Sequence, residues 1–388
     1  MEIRERLVYI LKHYKWIQYT YRRGMSLFFR FVGLFVKIDK NLVLINSWVG
    51  KKYNDSPKVL FETMRDDPRF KDLKYVWAFE HPEKYDLRGA KCIKIDSWGY
   101  FVTALKAKVW ITCVNIERGL TIKKGNTIYI NTWHGAGTKK IGNACAGRHD
   151  YDLSNVNMML VQSEFEKEIF IRDFNCRPEN LRKVGFPRND ELFHLTEEDR
   201  KKYRKQFNIP EGKKVIMYAP TWRDSKDGGL SYRVEPPIHL EKWRERYEKD
   251  YVVLFRMHPF TTIFNMQYDD FARDVTMYDN LNHLLAITDV LITDYSTIVY
   301  DSAAAGIPFI CFGFDYERYY EERGFYYDLD KVYPGGVLKT EEEVWQRIDD
   351  VMRGVDKDKY EAFRNKYIEA GGHATEKVLD ELSQMINH

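Results

Sequence analysis

Short apolar runs alternate with amphipathic segments along most of the chain from residue 41 onward. The runs are rich in β-branched and aromatic residues, which is typical of strands buried on both faces of a sheet. In the first half, such strands are predicted at 41–46, 74–79, 90–95, 108–113, 127–132 and 158–163. Helices are predicted between them at 58–65, 98–107 and 164–174. This alternation predicts an α/β domain with a doubly wound parallel sheet.

The pattern restarts after a turn at 185–190 that contains glycine and proline, which we interpret as a crossing between two domains. In the second half, strands are predicted at 214–218, 251–256, 275–278, 290–292 and 309–312, and helices at 196–207, 281–288, 298–305, 341–353, 357–370 and 375–386. The predicted organisation is therefore an N-terminal segment at 1–40, a first domain at 41–187 and a second domain at 188–388.

The N-terminal segment differs from the rest in its charge. Residues 1–37 contain eight basic and two acidic residues, a balance of +6, whereas the whole chain carries +3. Aromatic residues are interleaved with the basic ones, and the apolar run at 25–36 is far shorter than the roughly 20 residues that a membrane-spanning helix needs. We expect an amphipathic helix on an anionic membrane surface. The alternative is a helix packed on its own domain with a solvated basic face.

The composition of the 388-residue chain argues against several classes of partner and site. A net charge of +3 does not indicate a nucleic-acid partner. The five cysteines are scattered singly, a pattern that favours reduced thiols over disulfides or a zinc site. No signal peptide is evident at the N-terminus.

The stretch at 289–314 predicts a strand, a turn, a helix of small residues and a second strand. Ser296 or Thr297 stands where the helix N-cap belongs. A helix N-terminus with free N–H groups and hydroxyls attracts phosphate. The alternative is an ordinary capped helix without a ligand.

The predicted strand at 127–132 runs into His134, and ligands of open α/β sheets gather beyond the carboxyl ends of strands. Gly135 and Gly137 permit close backbone approach, while Lys139 and Lys140 add positive charge. A structural histidine in a glycine-rich loop is the alternative.

Three predicted strand ends in the second half carry groups suited to an anionic phosphate. They are 221–223 (TWR), 256–258 (RMH) and 293–297 (TDYST). Three such ends in one domain, facing a histidine loop in the other, predict a phosphate-containing ligand between the domains.

Motifs in order along the chain resemble those of the CDP-glycerol glycerophosphotransferases, which build wall teichoic acid and related polymers. The residues that carry the resemblance are SWVGKKYNDSP at 47–57, TWHG at 132–135, KKIG at 139–142, GFPRND at 185–190, YAPTWRD at 218–224, RMHP at 256–259, TDYS at 293–296, Asp301 and RGFY at 323–326. The family usually has Thr-Pro-Leu after its His-Gly pair, and this chain has Ala136, Gly137 and Thr138 instead. This departure lies near the acceptor side, so the acceptor's identity stays open.

The resemblance implies a GT-B fold, with two facing Rossmann-like domains, an acceptor domain first and a CDP-glycerol-binding domain second. It implies that His134 and His258 are the catalytic histidines, with His258 at the donor pyrophosphate. Residues expected on the donor and phosphate side are Pro220, Arg223, Thr293, Asp294, Ser296, Thr297 and Asp301, with Asp301 toward the cytidine ribose. Gly135, Lys139 and Lys140 are expected on the acceptor side.

The predicted reaction transfers glycerol phosphate from CDP-glycerol to a hydroxyl of a lipid-linked, undecaprenyl diphosphate-type acceptor, with release of CMP. His134 is expected to deprotonate that hydroxyl. No metal and no cofactor are expected, because the Asp-x-Asp patterns follow no clear strand end of the second half. A peripheral place on the cytoplasmic face of the cell membrane is expected. CDP-ribitol as donor, a nucleotide-sugar glycosyltransferase and a non-catalytic binding module remain alternatives, and the oligomeric state is open.

Overall fold

Two parallel sheets form the body of the protein. The computed structural model describes residues 14–135, 137–221, 237–257 and 268–387. The first sheet contains β1 Asp39–Asn46, β2 Lys74–Phe79, β3 Ala90–Lys94, β4 Ala107–Thr112, β5 Ile128–Asn131, β6 Met158–Val161 and β7 Leu181–Lys183. The second contains β8 Lys214–Tyr218, β9 Tyr251–Phe255, β10 Ala272–Asp274, β11 Val290–Thr293, β12 Phe309–Phe312 and β13 Val337–Leu338.

Helices connect the strands and cover both sheets. They are α1 Lys15–Phe35, α2 Asp55–Asp66, α3 Trp98–Lys106, α4 Glu164–Phe174, α5 Glu197–Gln206, α6 Leu240–Tyr247, α7 Leu281–Ile287, α8 Ile298–Ala304, α9 Tyr316–Arg323, α10 Leu329–Val332, α11 Glu341–Met352, α12 Lys357–Tyr367 and α13 Ala374–Asn387. The strand orders are β3-β2-β1-β4-β5-β6-β7 and β10-β9-β8-β11-β12-β13, and every pairing within these sheets is parallel. The predicted α/β architecture is confirmed.

The central strands are apolar on both faces because helices cover both sides of each sheet. In β1, successive side chains Val43, Leu44 and Ile45 are all fully buried, and they pack into two different clusters on opposite faces. Burial of that kind explains why continuous apolar runs located the inner strands correctly.

The predictions located the edge strand β3 but missed or misplaced the other three edge strands. The edge strand β7 has a single buried side chain, Leu181, followed by Arg and Lys, so its sequence carries no apolar run. The short strand β13 contains two half-buried residues. The strand predicted at 275–278 lies earlier, at Ala272–Asp274, because the Asp274 carboxylate accepts the N–H of Thr276 and turns the chain.

Helix α1 packs one face on the first domain and exposes the other. Phe29 is buried, with its ring 4.5 Å from that of Phe101 between centroids. Leu27, Phe31 and Leu34 on the outer face are exposed. No helix within the described ranges is long and apolar enough to cross a membrane.

The last helix, α13, returns to the first domain, although the predicted boundary at 188 assigned it to the second. Its apolar face, Val378, Leu379 and Leu382, packs into the cluster around β1 and α2. Ion pairs of Asp380 with Arg69 and of Glu381 with Arg182, both at 2.6 Å, flank this contact. The sequence shows the apolar face of this helix but not which sheet it covers.

Candidate active site

The carboxyl ends of β5 and β11 approach each other across the two domains. His134 follows β5, and Thr297 precedes α8 at the end of β11. The backbone at Gly135 has a φ of 154°, and a methyl group there would lie 3.0 Å from Oγ1 of Thr297. The predicted acceptor and donor sides therefore meet directly at this glycine.

His134 has a defined tautomer. Its Nδ1 lies 2.7 Å from the carbonyl oxygen of Cys113, and because a carbonyl only accepts, Nδ1 carries the proton. In the neutral ring, Nε2 is then unprotonated and available as a base. Burial lowers the pKa of His134 below its ordinary value of 6.5, and the backbone hydrogen bond to Cys113 opposes this effect only in part. The ring is therefore neutral at pH 7.

Two tryptophans flank the His134 ring. Trp133 stacks on it with 4.4 Å between ring centroids, and Trp48 lies at 4.7 Å with a tilt of 52°. Trp133 is buried and packs its own ring against Phe170 and Phe174, whereas Trp48 is partly exposed. The two rings cover the imidazole on both sides and hold its orientation.

The loop after His134 is bound to the second domain. The N–H of Lys140 donates to the carbonyl of Gly324 at 3.1 Å, and the N–H of Tyr326 donates to the carbonyl of Thr138 at 3.1 Å. Lys139 and Phe325 form an antiparallel bridge between these bonds. The predicted acceptor-side lysines thus follow His134 on a segment whose backbone is fixed by the partner domain.

The predicted donor residues Thr293 and Asp294 hold the loop that follows β8. The Thr293 hydroxyl donates to the carbonyl of Ala219 at 2.6 Å. One Asp294 carboxylate oxygen accepts the N–H groups of Thr221 at 2.7 Å and Tyr295 at 2.5 Å. These bonds place Pro220 and the start of the 221–223 motif beside the end of β11.

Ser296, rather than Thr297, supplies the side-chain bond at the start of α8. Its Oγ accepts the N–H of Ile298 at 3.3 Å, and within the described part of the chain Thr297 makes no side-chain cap bond. Arg223 and His258 lie outside the described residues, so their predicted donor contacts stay predictions.

Asp301 forms part of an ionic cluster at the domain crossing. Arg188 lies 3.1 Å from Asp301 and 3.4 Å from Asp55 through its guanidinium nitrogens, and Asn189 Nδ2 donates to Asp301 at 2.6 Å. The cluster therefore joins the first domain, the crossing and the second domain. The Asp301 carboxylate bonds to Arg188 and Asn189. The expected contact of Asp301 with a ribose stays a prediction.

Sequence reasoning did not assign roles to Trp48, Cys113 or Arg188. Trp48 and Arg188 lie inside motifs that the sequence analysis recognised. Those motifs did not show that Trp48 contacts His134 or that Arg188 bonds to two carboxylates. Cys113 contributes a backbone carbonyl, which every residue type has, so its sequence position carries no signal.

Residues 27–384 match the family model described as CDP-Glycerol:Poly(glycerophosphate) glycerophosphotransferase. The chain is 31% identical over 363 residues to a teichoic acid glycerol-phosphate transferase of Staphylococcus aureus (strain NCTC 8325 / PS 47), covering 86% of this chain and 87% of the relative. It is 30% identical over 383 residues to a teichoic acid poly(glycerol phosphate) polymerase of Bacillus spizizenii, covering 93% and 96%.

Among solved structures, the wall teichoic acid polymerase TagF matches with a TM-score of 0.82 at 28% identity, covering 100% of this chain and 99% of that one. A TagF variant soaked with CDPG matches with a TM-score of 0.81 at 29% identity, covering 90% of each chain. The fold is thus TagF-like, and the predicted GT-B architecture is confirmed.

Proposed function

Because the chain belongs to the CDP-glycerol:poly(glycerophosphate) glycerophosphotransferase family, we propose that it transfers glycerol phosphate from CDP-glycerol to a hydroxyl of a lipid-linked, teichoic acid-type primer. The observation that carries this proposal is His134. It is a neutral base with an unprotonated Nε2, and the loop that bears it abuts the donor-side residue Thr297. A purely binding module has no need of such a base.

In the proposed reaction, Nε2 of His134 takes the proton from the acceptor hydroxyl. The acceptor oxygen forms a bond to the glycerol-bearing β-phosphorus in line with the leaving group. The bond from that phosphorus to the bridging oxygen breaks, and its electron pair stays with CMP. Arg223, His258 and the start of α8 stabilise the charge that develops on the leaving phosphate. His134 is thereby protonated and returns its proton to solvent.

The proposed acceptor is a lipid-linked saccharide of the undecaprenyl diphosphate type, and the proposed place is the cytoplasmic face of the membrane. Support comes from α1, whose outer apolar residues are exposed although the inner residue Phe29 is buried in the core. The residues Leu27, Phe31 and Leu34 follow an i, i+4, i+7 spacing, which sets them on one face. An apolar face of this kind beside basic residues suits an anionic lipid surface.

CMP release from the purified protein tests this function. We expect release with CDP-glycerol and a lipid-linked primer, and none without the primer beyond slow hydrolysis. CDP-ribitol in a parallel reaction, again with CMP as the product measured, tests the alternative donor, and a nucleoside diphosphate sugar, with release of the nucleoside diphosphate measured instead, tests the glycosyltransferase alternative. CMP release with CDP-ribitol but not with CDP-glycerol would reassign the donor, and release with neither would refute glycerophosphate and ribitol phosphate transfer alike.

A further inference from the structure

Trp48 is presented to solvent beside the proposed base by a strained turn. Trp48 and Val49 have φ angles of 47° and 60°, in the left-handed region that residues with side chains seldom adopt. Gly50 follows with a φ of 80°, and a methyl group there would lie 3.1 Å from the carbonyl oxygen of Ala78. Glycine adopts this region readily, but two successive residues with side chains there are unfavourable, so other contacts must hold the turn.

Those contacts come from two neighbouring strand ends. The N–H of Trp48 donates to Sγ of Cys113 at 3.3 Å, and the N–H of Glu80 donates to the carbonyl of Gly50 at 2.8 Å. Val49 packs against the core of the first domain. The turn therefore anchors the side chain of Val49 while Trp48 stays 37% exposed.

The same residue, Cys113, holds both Trp48 and His134. Its Sγ accepts from the Trp48 backbone and its carbonyl accepts from His134 Nδ1. The indole is thereby kept 4.7 Å from the imidazole, measured between ring centroids. A large exposed aromatic ring held by these bonds next to the proposed base offers a surface for a ligand, because ligand sites combine aromatic surface with a few well-placed polar groups.

We propose that Trp48 is the platform for the terminal polyol unit of the acceptor, an inference that rests on the proposed function. The C–H groups of a glycerol or ribitol phosphate carry partial positive charge, and the face of an indole is negative, so the two attract. Lys51, exposed three residues later, supplies a cation for the phosphate of the same unit. The ring belongs to the acceptor domain and sits beside the base, which places the acceptor hydroxyl near Nε2 of His134.

The test uses the full chain, saturating CDP-glycerol and a short synthetic glycerol phosphate oligomer as a soluble acceptor. We expect Trp48→Ala to raise the KM for the oligomer by about tenfold, the size of one well-placed aromatic contact. Trp48→Phe keeps a flat ring and should recover most of the affinity, whereas Trp48→Leu, which is apolar but not aromatic, should not. The affinity for CDP-glycerol should stay unchanged in all three variants.

Trp98→Ala is the matched control, since this tryptophan is 57% exposed and its ring contacts Phe28 and Phe29 rather than His134. It should leave the oligomer KM unchanged. Calorimetric binding of the oligomer gives the same comparison without turnover. If Trp48→Ala leaves the oligomer affinity unchanged, or weakens the affinity for CDP-glycerol instead, Trp48 does not bind the acceptor and the proposal is refuted. Absence of transfer by the unmodified protein, with oligomer binding still dependent on Trp48, would refute the proposed function alone.

Discussion

His134 Nδ1 and the carbonyl oxygen of Cys113 lie 2.7 Å apart, and this one bond decides which nitrogen of the ring can act as a base. A carbonyl cannot donate, so the proton is on Nδ1 and the lone pair is on Nε2. Because the partner is a backbone atom, substitution of the Cys113 side chain leaves the tautomer unchanged. The backbone at the end of β4, rather than a second polar side chain, therefore orients the His134 ring.

Replacing His134 by alanine should abolish most of the transfer. Loss of a general base typically costs about 10²–10⁴ in rate, while binding of CDP-glycerol should stay nearly intact because the base acts only in the transition state. The measurement is CMP release alongside calorimetric titration of the donor. His81→Ala, at an exposed histidine that pairs with Glu83, serves as control and should retain full activity. Near-normal turnover of His134→Ala would exclude this histidine as the base.

The pH dependence of kcat/KM should show an acid limb with its inflection below pH 6.5. Burial lowers the pKa of His134 from 6.5, and a base is active only when deprotonated. Activity should therefore be lost as the pH falls through the lowered pKa. Between about pH 7 and 8 the titration of His134 should not change kcat/KM. A rate profile measured at constant ionic strength checks this. An acid limb centred above pH 7 would contradict the neutral, buried base.

Arg223→Ala and His258→Ala should weaken donor binding as well as turnover. Both groups are proposed to contact the pyrophosphate already in the ground state, unlike His134. Calorimetric titration with CDP-glycerol and with CDP measures this difference. Affinity should fall in the Arg223 and His258 variants and stay nearly intact in the His134 variant. Unchanged affinity in both variants would show that the donor site is placed wrongly.

Arg188→Met should destabilise the protein by about 3–5 kcal/mol, because it leaves two largely buried carboxylates, Asp55 and Asp301, without their partner. Denaturant unfolding followed by fluorescence measures this change. The exposed pair Arg353–Asp350 is the control, and Arg353→Met should cost about 1 kcal/mol or less. A second substitution, Asp301→Asn, should recover part of the loss. A cost for Arg188→Met no larger than the control would mean that the cluster does not join the domains.

The sequence predicted the inner strands and the place of His134 because both depend on local properties. Continuous apolar runs such as Val43 to Ile45 indicate burial on both faces, and a histidine just beyond such a strand lies at the carboxyl edge of the sheet. The remaining features of the site depend on contacts that are distant along the chain. Arg188 meets Asp55 and Asp301 from 133 and 113 residues away, and no local pattern reports such partners.

The sequence also did not predict the strained backbone at Trp48. The turn is held by the bonds of the Trp48 N–H to Cys113 and of the Gly50 carbonyl to Glu80, whereas the residue types of Trp48 and Val49 both disfavour a positive φ angle. The destination of α13 was missed for a related reason, since an apolar helix face fits either domain until the three-dimensional arrangement is known.

The outer face of α1 offers a sharp test of membrane association. Leu27, Phe31 and Leu34 are 65%, 60% and 78% exposed, whereas Phe29 on the opposite face is 3% exposed and packs on Phe101. Deleting the whole segment would uncover the core around Phe29, so point substitutions are preferable. Serine at the three outer positions should leave the unfolding temperature unchanged, because these side chains are already in water.

The triple serine variant should lose most of its sedimentation with anionic liposomes while keeping its turnover on a soluble oligomer, because the proposed donor and base residues all lie beyond residue 41. For the unmodified protein, binding should weaken between low and high salt without vanishing, since each basic residue near the surface contributes on the order of 1 kcal/mol and only that part is screened. The salt-insensitive remainder belongs to the apolar face. Met277→Ser with Val355→Ser, which removes exposed apolar side chains from the second domain, should not change sedimentation. If the triple variant and the unmodified protein sediment equally, α1 is only a packed helix with a solvated outer face.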